Sequence, residues 1–550
     1  MLHSSSASVR LPRRFSVPLA LAGALGLWAC GGGGGGGTAE KPLSEGEPKR
    51  GGTLIWTSPS DFDALNNFVS TDYETQEANR YVLFMTLIQY DKDMNLVPYL
   101  AESWELAPDG LSVTYHIRKD VKWHDGTPTT AEDVKFTYER CKDPKVAYAN
   151  AATFEYYTGA EILDPYTIRF TFSQPFADPV ENLALWTIMP KHLLEKVPVA
   201  ELRNAPFNRN PVGNGPFKFV RWTANQEIVF EANDAFSPSL GGRPYLDRIV
   251  LRIVPEQTTE LTMLLTGQSD LLRAVQPQEG ARVEASDVAR LIVFPSRAYD
   301  FIGWNERLPM FDSPEERQAL TMAINRQQMV AALLYGYGKV AATDGFETMW
   351  VSDSTLKPRP YDPEKAKALL AGQGWKDSDG DGVLDQDGRR FEFRLLVNKG
   401  NDLRSDGAII VKNDLAKIGV VAEPTVREWT VLLQETQRKE YEAWLGGWQL
   451  DFVYNPRDLF HSQAIDGKYN FVSFKNATAD SLIDLGISIP DRAQSKPVWL
   501  AFFRLMAEQQ PYTWLYTLNE RVGVSRRLRG VETMDTRGYI RDIRHWWIAS

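Results

Sequence analysis

The stretch that decides the fold of this chain is RKDVKWHDGTP, at residues 118–128. An alternating apolar run at residues 113–118 leads into it and predicts a β-strand, and the Asp-Gly pair inside the stretch predicts a turn. Thr130 then precedes an aspartate by three residues, which is close to a capping box and predicts a helix over residues 131–140. Strand, turn and helix therefore follow one another directly.

The same mixture of elements continues on both sides of this stretch. Residues 51–56 predict an opening strand. Ser313, followed by proline and then Glu316, predicts the capped start of a helix, and Asp362 before a proline predicts another helix that ends near Gly372. Strands and helices alternate without an internal repeat, so the sequence predicts an α/β fold.

Length and composition limit the possible classes of protein. The chain has 550 residues, is 43% hydrophobic, and contains 16 Trp, 21 Tyr and 26 Phe, which is enough for two or three domains with cores of ordinary size. The formal net charge is -10. Because the first 29 residues hold three arginines and no acid, the rest carries about -13. Nucleic acid and anionic membrane surfaces are therefore unfavourable partners.

Cysteine usage excludes two kinds of site. Only Cys30 and Cys141 occur, too few for a disulfide framework or a thiolate metal site. We expect Cys141 to act as a half-buried small hydrophobic residue.

The amino terminus has the pattern of a secreted lipoprotein. A basic segment and a short apolar run end in Leu-Trp-Ala-Cys at residues 27–30, which resembles a lipobox acylated at Cys30. A polyglycine run and a polar, proline-containing segment follow, a composition typical of a flexible tether. The sequence predicts a signal peptide at residues 1–29, a lipidated tether at residues 30–50 and an extracytoplasmic, membrane-anchored protein. The alternative is an uncleaved signal anchor.

Several segments together resemble family 5 of the bacterial extracellular solute-binding proteins, the peptide- and nickel-binding class that serves ABC importers. The first four occur in the family's order within residues 101–134, and the others extend the similarity over nearly all of the chain after residue 50. The segments are AESW at 101–104, PDG at 108–110, RKDVKWHDGTP at 118–128, AEDV at 131–134, MPKH at 189–192, GNGPF at 213–217, RQAL at 317–320, AIN at 323–325, and GW at 447–448 followed by Asp451.

The resemblance implies a periplasmic-binding-protein type II-like fold, in which two lobes close on a hinge and an extra domain is inserted in the first lobe. Ligand would bind between the lobes, as in other hinge-bending proteins. The implied boundaries are residues 50–83, 193–298 and 520–550 for lobe I, 84–192 for the inserted domain, and 299–519 for lobe II.

The implied function is capture of short peptides for the permease of an ABC importer, by a monomer that is not an enzyme. No nucleophile accompanies His124 and Asp125, which we interpret as a scaffold turn. Within the same fold, sugar oligomers stay open because tryptophans can stack on sugars, whereas nickel is disfavoured by six histidines with no pair at ligand spacing. A chaperone of the cell envelope is the alternative from another class.

The resemblance also implies ligand-binding residues. Asp451 matches the position at which peptide-binding members hold the ligand's terminal ammonium, a charge that must be paired in a closed cleft. Trp448 would form a wall of that pocket. A solvated loop carboxylate and a core tryptophan are the alternatives for these two residues. Two further segments match lining regions: Asp72-Tyr73-Glu74 in lobe I and Trp304-Asn305 at the start of lobe II. A structural role is the alternative for these five residues.

One departure from the family concerns ligand length. Members that clamp a peptide's carboxylate can place a basic residue shortly before the Gly-Trp pair, whereas residues 444–446 here are uncharged. We therefore expect no strict selection of tripeptides.

An acidic segment resembles the first half of a calcium-binding loop. Oxygen-bearing residues recur at alternating positions and a glycine occupies the sixth, but Gly388 stands at the twelfth in place of a bidentate glutamate. Structural calcium is therefore a possible ligand, and no other cofactor is expected. The candidate ligands are Asp377, Asp379, Asp381, Asp385 and Asp387.

Overall fold

The structure, a computed structural model, describes residues 46–93, 95–345, 349–532 and 534–549. The predicted signal peptide and Cys30 lie outside the described residues. Within them, the strands are β1 (Thr53–Ser58), β2 (Ile88–Tyr90), β3 (Leu96–Pro98), β4 (Ala101–Leu106), β5 (Ser112–Ile117), β6 (Tyr157–Asp164), β7 (Thr167–Phe172), β8 (Phe217–Thr223), β9 (Glu227–Ala232), β10 (Arg248–Ile253), β11 (Leu271–Leu272), β12 (Ala289–Trp304), β13 (Gly338–Val340), β14 (Asp385–Gln386), β15 (Arg389–Arg390), β16 (Glu392–Asn398), β17 (Val421–Arg427), β18 (Ala443–Gln449), β19 (Tyr512–Ser525), β20 (Leu528–Arg529) and β21 (Trp547–Ile548).

The helices pack around these strands, and no helix of the described residues is both long and apolar enough to cross a membrane. They are α1 (Tyr73–Ala78), α2 (Ala131–Lys142), α3 (Lys191–Leu194), α4 (Gln257–Leu265), α5 (Gly280–Glu284), α6 (Pro314–Ala323), α7 (Arg326–Leu333), α8 (Pro363–Gly372), α9 (Asp402–Ala416), α10 (Trp429–Gln437), α11 (Arg457–Phe460), α12 (Ala477–Ser488) and α13 (Arg492–Gln509).

The predicted local elements are confirmed. The opening strand is β1, the strand before the turn is β5, and the capped helix is α2, where the Thr130 amide donates to Asp133. In α6 the amide of Glu316 donates to the Ser313 hydroxyl, and α8 ends at Gly372. Local capping chemistry fixes these boundaries, which is why the sequence alone could locate them.

One large mixed sheet organises the fold, in the order β17-β16-β18-β12-β19-β11-β1-β10-β9-β8, with β13 added beside β19. Parallel pairs such as β1 with β10 and β16 with β17 lie on either side of the antiparallel pair β12 and β19. Helices accompany both sets of parallel strands, so the predicted α/β class is confirmed.

The long strands β12 and β19 are interrupted near their middle. Residues 289–295 of β12 pair with residues 519–525 of β19, and residues 299–303 pair with residues 512–517. Between these two ladders, residues 296–298 have no regular partner in β19, which is a bulge that bends the strand and weakens its pairing with β19. The lobe boundaries expected after residues 298 and 519 fall at this irregular crossing.

The segment expected as an inserted domain contains a separate antiparallel sheet, β4-β5-β7-β6, covered by α2. Its first residues pack against the GNGPF motif. A Cβ on Gly213 would lie 2.0 Å from the Leu83 carbonyl oxygen, so only glycine fits there, and the Asn214 side chain accepts the Met85 amide at 2.9 Å. The motif therefore holds the start of this segment against β8.

His124 completes that junction. Its Nδ1 accepts the Gly213 amide at 3.2 Å, and its Nε2 donates to the Gly215 carbonyl at 3.1 Å, an arrangement that suits one neutral tautomer. Burial lowers the pKa of His124 to about 4, so the ring stays neutral at physiological pH. Asp125 contacts His192 at 2.7 Å instead. These partners fit the scaffold turn expected from the sequence.

The largest apolar core spans residues 54–294 and also includes Phe452 and residues from 522 to 546. Two further cores belong to residues 299–516. Cys141 is fully buried in the first core, not half-buried as expected, and the Trp186 indole donates to its sulfur at 3.4 Å. Burial raises the pKa of this thiol to about 12, which makes it unreactive at neutral pH.

Candidate ligand-binding site

Two cavities lie beside the irregular crossing of β12 and β19 and share Gln449, the last residue of β18. The first has a volume of about 180 Å³ and the second of about 170 Å³. Because residues 296–298 line the first cavity, the bulge in β12 forms part of its wall. Segments distant in sequence meet here, as expected for a ligand site between lobes.

The first cavity contains charges of both signs. Arg273 lies 3.7 Å from Glu74 and stacks its guanidinium over Tyr73 at 4.1 Å. Arg297 donates to the Leu450 carbonyl at 2.6 Å and lies 4.3 Å over the Phe452 ring. Among the described residues Arg297 forms no salt bridge within 4.0 Å, so part of its guanidinium can bind a ligand anion.

The segment Asp72-Tyr73-Glu74 has three different roles. Tyr73 lines the first cavity, as proposed from the sequence. Asp72 caps α1 by accepting the Thr75 amide at 2.7 Å. Glu74 is buried, which raises the pKa of its carboxyl, and it supports Arg273. The structure therefore brings only Tyr73 of this segment into contact with the cavity.

Asp451 and Trp448 both line the second cavity. Asp451 is exposed and has neither a hydrogen-bonding nor an ion-pair partner among the described residues. Trp448 is half-buried; its ring stacks on Phe471 at 5.9 Å, and its Nε1 donates to Tyr512 over a long 3.5 Å. An unpaired carboxylate beside a fixed aromatic wall suits a cationic group of a ligand.

Only glycine fits at position 447, directly before Trp448. A Cβ at this position would lie 2.1 Å from Asp300 and 2.3 Å from Arg404. These two residues form a largely buried ion pair, with Arg404 Nη2 donating to Asp300 Oδ1 at 2.9 Å. The glycine on β18 therefore makes room for the pair that joins α9 to β12 directly before the site.

Trp304 and Asn305 are a correction to the sequence analysis. Trp304 is 0% exposed, packs against Phe311 with ring centroids 5.1 Å apart, and donates from Nε1 to Thr513 at 3.1 Å. Asn305 is 1% exposed and donates to the Tyr441 carbonyl at 2.7 Å. These contacts satisfy both side chains in the interior of the protein, so neither residue lines either of the two cavities.

Only some of the aspartates expected to bind calcium lie close together in the acidic loop. Carboxylate oxygens of Asp377, Asp379 and Asp381 lie within 4.8 Å of one another, on the surface. Asp385 does not join this cluster, because it accepts the Ser378 amide at 2.8 Å, and Asp387 lies in the turn between β14 and β15. The five-ligand set expected from the sequence is therefore reduced to three residues.

Calcium binding at this loop stays a prediction. If the loop holds a structural ion, isothermal titration of calcium into chelator-treated protein should give heat with one saturable site. Asp379→Asn should weaken that site, since it removes a carboxylate of the cluster, whereas Asp458→Asn, at an exposed position in α11, should not. The absence of heat in the wild type would contradict the prediction.

Several lining residues escaped the sequence analysis: Arg273, Arg297, Glu520, Asp535 and Asp344. They come from separate segments with no shared motif, and only the topology brings them together. Arg297 and Glu520 lie next to the lobe boundaries that the resemblance implies. Those expected boundaries are the one signal in the sequence that could have pointed to these two residues.

Comparison with known proteins agrees with this architecture. The family model for bacterial extracellular solute-binding proteins, family 5, matches residues 95–470. The chain is 34% identical over 532 residues to the oligopeptide-binding protein AppA of Bacillus subtilis (strain 168), covering 96% of this chain and 97% of AppA.

Solved structures agree as well. AppA from Bacillus subtilis in complex with a nonapeptide superposes with a TM-score of 0.71 at 33% identity, covering 92% of this chain and 100% of AppA. NikZ from Campylobacter jejuni in complex with Ni(L-His) gives 0.72 at 26% identity, covering 90% of this chain and 99% of NikZ. The predicted fold and the predicted family are both confirmed, and the chain belongs to family 5 of the bacterial extracellular solute-binding proteins.

Proposed function

We propose that this protein captures short peptides between its two lobes and delivers them to the permease of an ABC importer. The observation that carries the proposal is a pair of opposite charges, each in one of the two cavities that share Gln449. Among the described residues, Arg297 in the first cavity and Asp451 in the second form no salt bridge. A peptide supplies both missing partners, because its termini carry an ammonium and a carboxylate.

The site also has the means to hold a peptide between its ends. Its walls include the aromatic rings of Tyr73 and Trp448, and the amide of Gln449 lines both cavities. Binding would draw the lobes together across the bulge in β12, which excludes water and strengthens both charge pairs. Relatives named for oligopeptide and dipeptide binding support this ligand class.

The remaining parts of the proposal concern location and chemistry. Membership of an extracellular family supports a position outside the cytoplasm, and we propose anchorage through lipid at Cys30. We also propose that the chain is a binding component without enzymatic activity. It would then act by handing its ligand to a permease, not by converting it.

Mass spectrometry of protein purified from its own membrane tests the proposal. Denaturation should release peptides of a few residues, and the intact chain should show an acylated Cys30 as its first residue. Release of a sugar oligomer or a nickel chelate would replace peptide as the ligand, while an unmodified mature terminus would contradict anchorage alone.

A further inference from the structure

The second cavity contains a carboxyl group that the proposed function does not yet use. Asp344 lines this cavity with Asp451 and is 0% exposed. The Tyr454 hydroxyl donates to its Oδ2 at 2.5 Å, while Oδ1 has no hydrogen-bonding partner among the described residues. A buried carboxylate with an orphan oxygen costs free energy, and such groups concentrate at functional sites.

The surroundings of Asp344 do not satisfy it. Tyr299 is also fully buried, and its hydroxyl likewise has no partner within the described part of the chain. Burial raises the pKa of Asp344 to about 6, and no cation of the described residues offsets the lost hydration. The neighbouring groups Tyr299, Tyr454 and Tyr512 have pKa values raised by burial and stay neutral.

The charged side chains that line the second cavity are all negative. Its lining includes two carboxylates and contains no lysine, arginine or histidine among the described residues. Trp448 and Tyr454 supply aromatic surface, which attracts cations through their ring faces. A ligand ammonium can neutralise Asp451, but one charge cannot serve both aspartates unless it reaches the buried one as well.

We propose that Asp344 makes the second cavity a subsite for a basic side chain, lysine or arginine, on the first residue of a bound peptide. The inference rests on the proposed function, because Asp451 in the same cavity would hold the adjacent amino terminus. The long side chain would reach past Asp451, and its cationic group would pair with the free oxygen of Asp344.

Isothermal titration with two tetrapeptides tests the subsite: Lys-Ala-Ala-Ala and its counterpart Met-Ala-Ala-Ala, which is similar in length but uncharged. Wild-type protein should bind the lysine peptide about tenfold or more tightly than the methionine peptide. In Asp344→Asn the ratio of the two dissociation constants should fall to within about threefold of unity, mostly by loss of the lysine peptide. The matched variant Asp458→Asn, an exposed aspartate outside the lining, should keep the wild-type ratio.

A thermal melt of the ligand-free protein separates this role from a structural one. The folded-state pKa of Asp344 is above its usual value of 3.8, so its contribution to stability is present at low pH and is lost as pH rises through about 6. At pH 7.5, Asp344→Asn should therefore melt no lower than wild type. A variant that melts much lower would mark Asp344 as structural and overturn the proposal.

The remaining outcomes are also decisive. Equal affinity of wild type for the two peptides, or an unchanged ratio in Asp344→Asn, would overturn the subsite and leave peptide capture intact. If neither peptide bound to wild-type protein freed of ligand, the proposed function would fail and the subsite with it.

Discussion

Replacing Asp451 by alanine is expected to weaken a short peptide with a free amino terminus by roughly 3 to 5 kcal/mol, which is more than a hundredfold in Kd. The carboxylate is exposed and has no ion-pair partner among the described residues, so water solvates its charge when no ligand is bound. Closure of the lobes would enclose the peptide ammonium with it, and the alanine variant would leave that ammonium buried without a partner. Titration calorimetry on ligand-free protein measures the loss.

The size of the affinity loss distinguishes an ion pair exposed to water from one enclosed between the lobes. A pair that remains in water contributes at most about 1 kcal/mol, whereas an enclosed pair costs several when one partner is removed. Asp458→Ala, in the neighbouring helix α11 and outside the cavity lining, should change affinity little. If an amino-terminally acetylated peptide bound wild type as tightly as the free one, Asp451 would not be the ammonium site.

Local structure was predictable because its determinants are neighbours in sequence. The capping residues Thr130, Ser313 and Asp362 locate three helices correctly, since the hydrogen bonds that begin a helix join residues three positions apart. The glycines of the motifs are also explained by contacts, as at Gly213 and Gly447. The order of these motifs and caps along the sequence was therefore sufficient to predict the fold class.

The candidate site was only partly predictable, because its residues become neighbours only after folding. Asp451 and Trp448 follow a motif and were found, whereas Arg273 and Asp344 have no motif around them. A single aspartate in a sequence carries no sign of burial. The Oδ1 atom of Asp344 lacks a hydrogen-bond donor among the described residues, and only three-dimensional packing determines which donors reach it.

Trp304 was assigned to the ligand site by mistake. Its position along the chain suggested a role in the site, whereas packing places its side chain in the core. It stands directly after the lobe crossing, where a cleft residue would be expected. However, side chains alternate between the two faces of a strand, and Trp304 ends β12 on the face that meets Phe393 and Phe311. Neighbouring positions in a strand point to opposite faces of the sheet, so one residue decides whether a side chain borders the cleft or the core.

Trp304→Ala is therefore expected to lower the free energy of unfolding by roughly 3 to 5 kcal/mol, the cost of emptying a large buried site. The deleted ring is 0% exposed, and its loss also leaves the Thr513 hydroxyl without the indole donor. Guanidinium denaturation of the ligand-free protein measures the change. Peptide affinity of the folded variant should stay within about twofold of wild type, because the residue lines neither cavity.

Two matched variants make the test specific. Trp429→Ala removes a tryptophan that is 49% exposed, so its unfolding free energy should change by about 0.5 kcal/mol or less. Trp304→Phe keeps most of the apolar volume but loses the donor to Thr513, so its loss should fall between those of the two alanine variants. A Trp304→Ala protein that unfolded like wild type yet bound peptide poorly would return Trp304 to the ligand site, as the sequence had suggested.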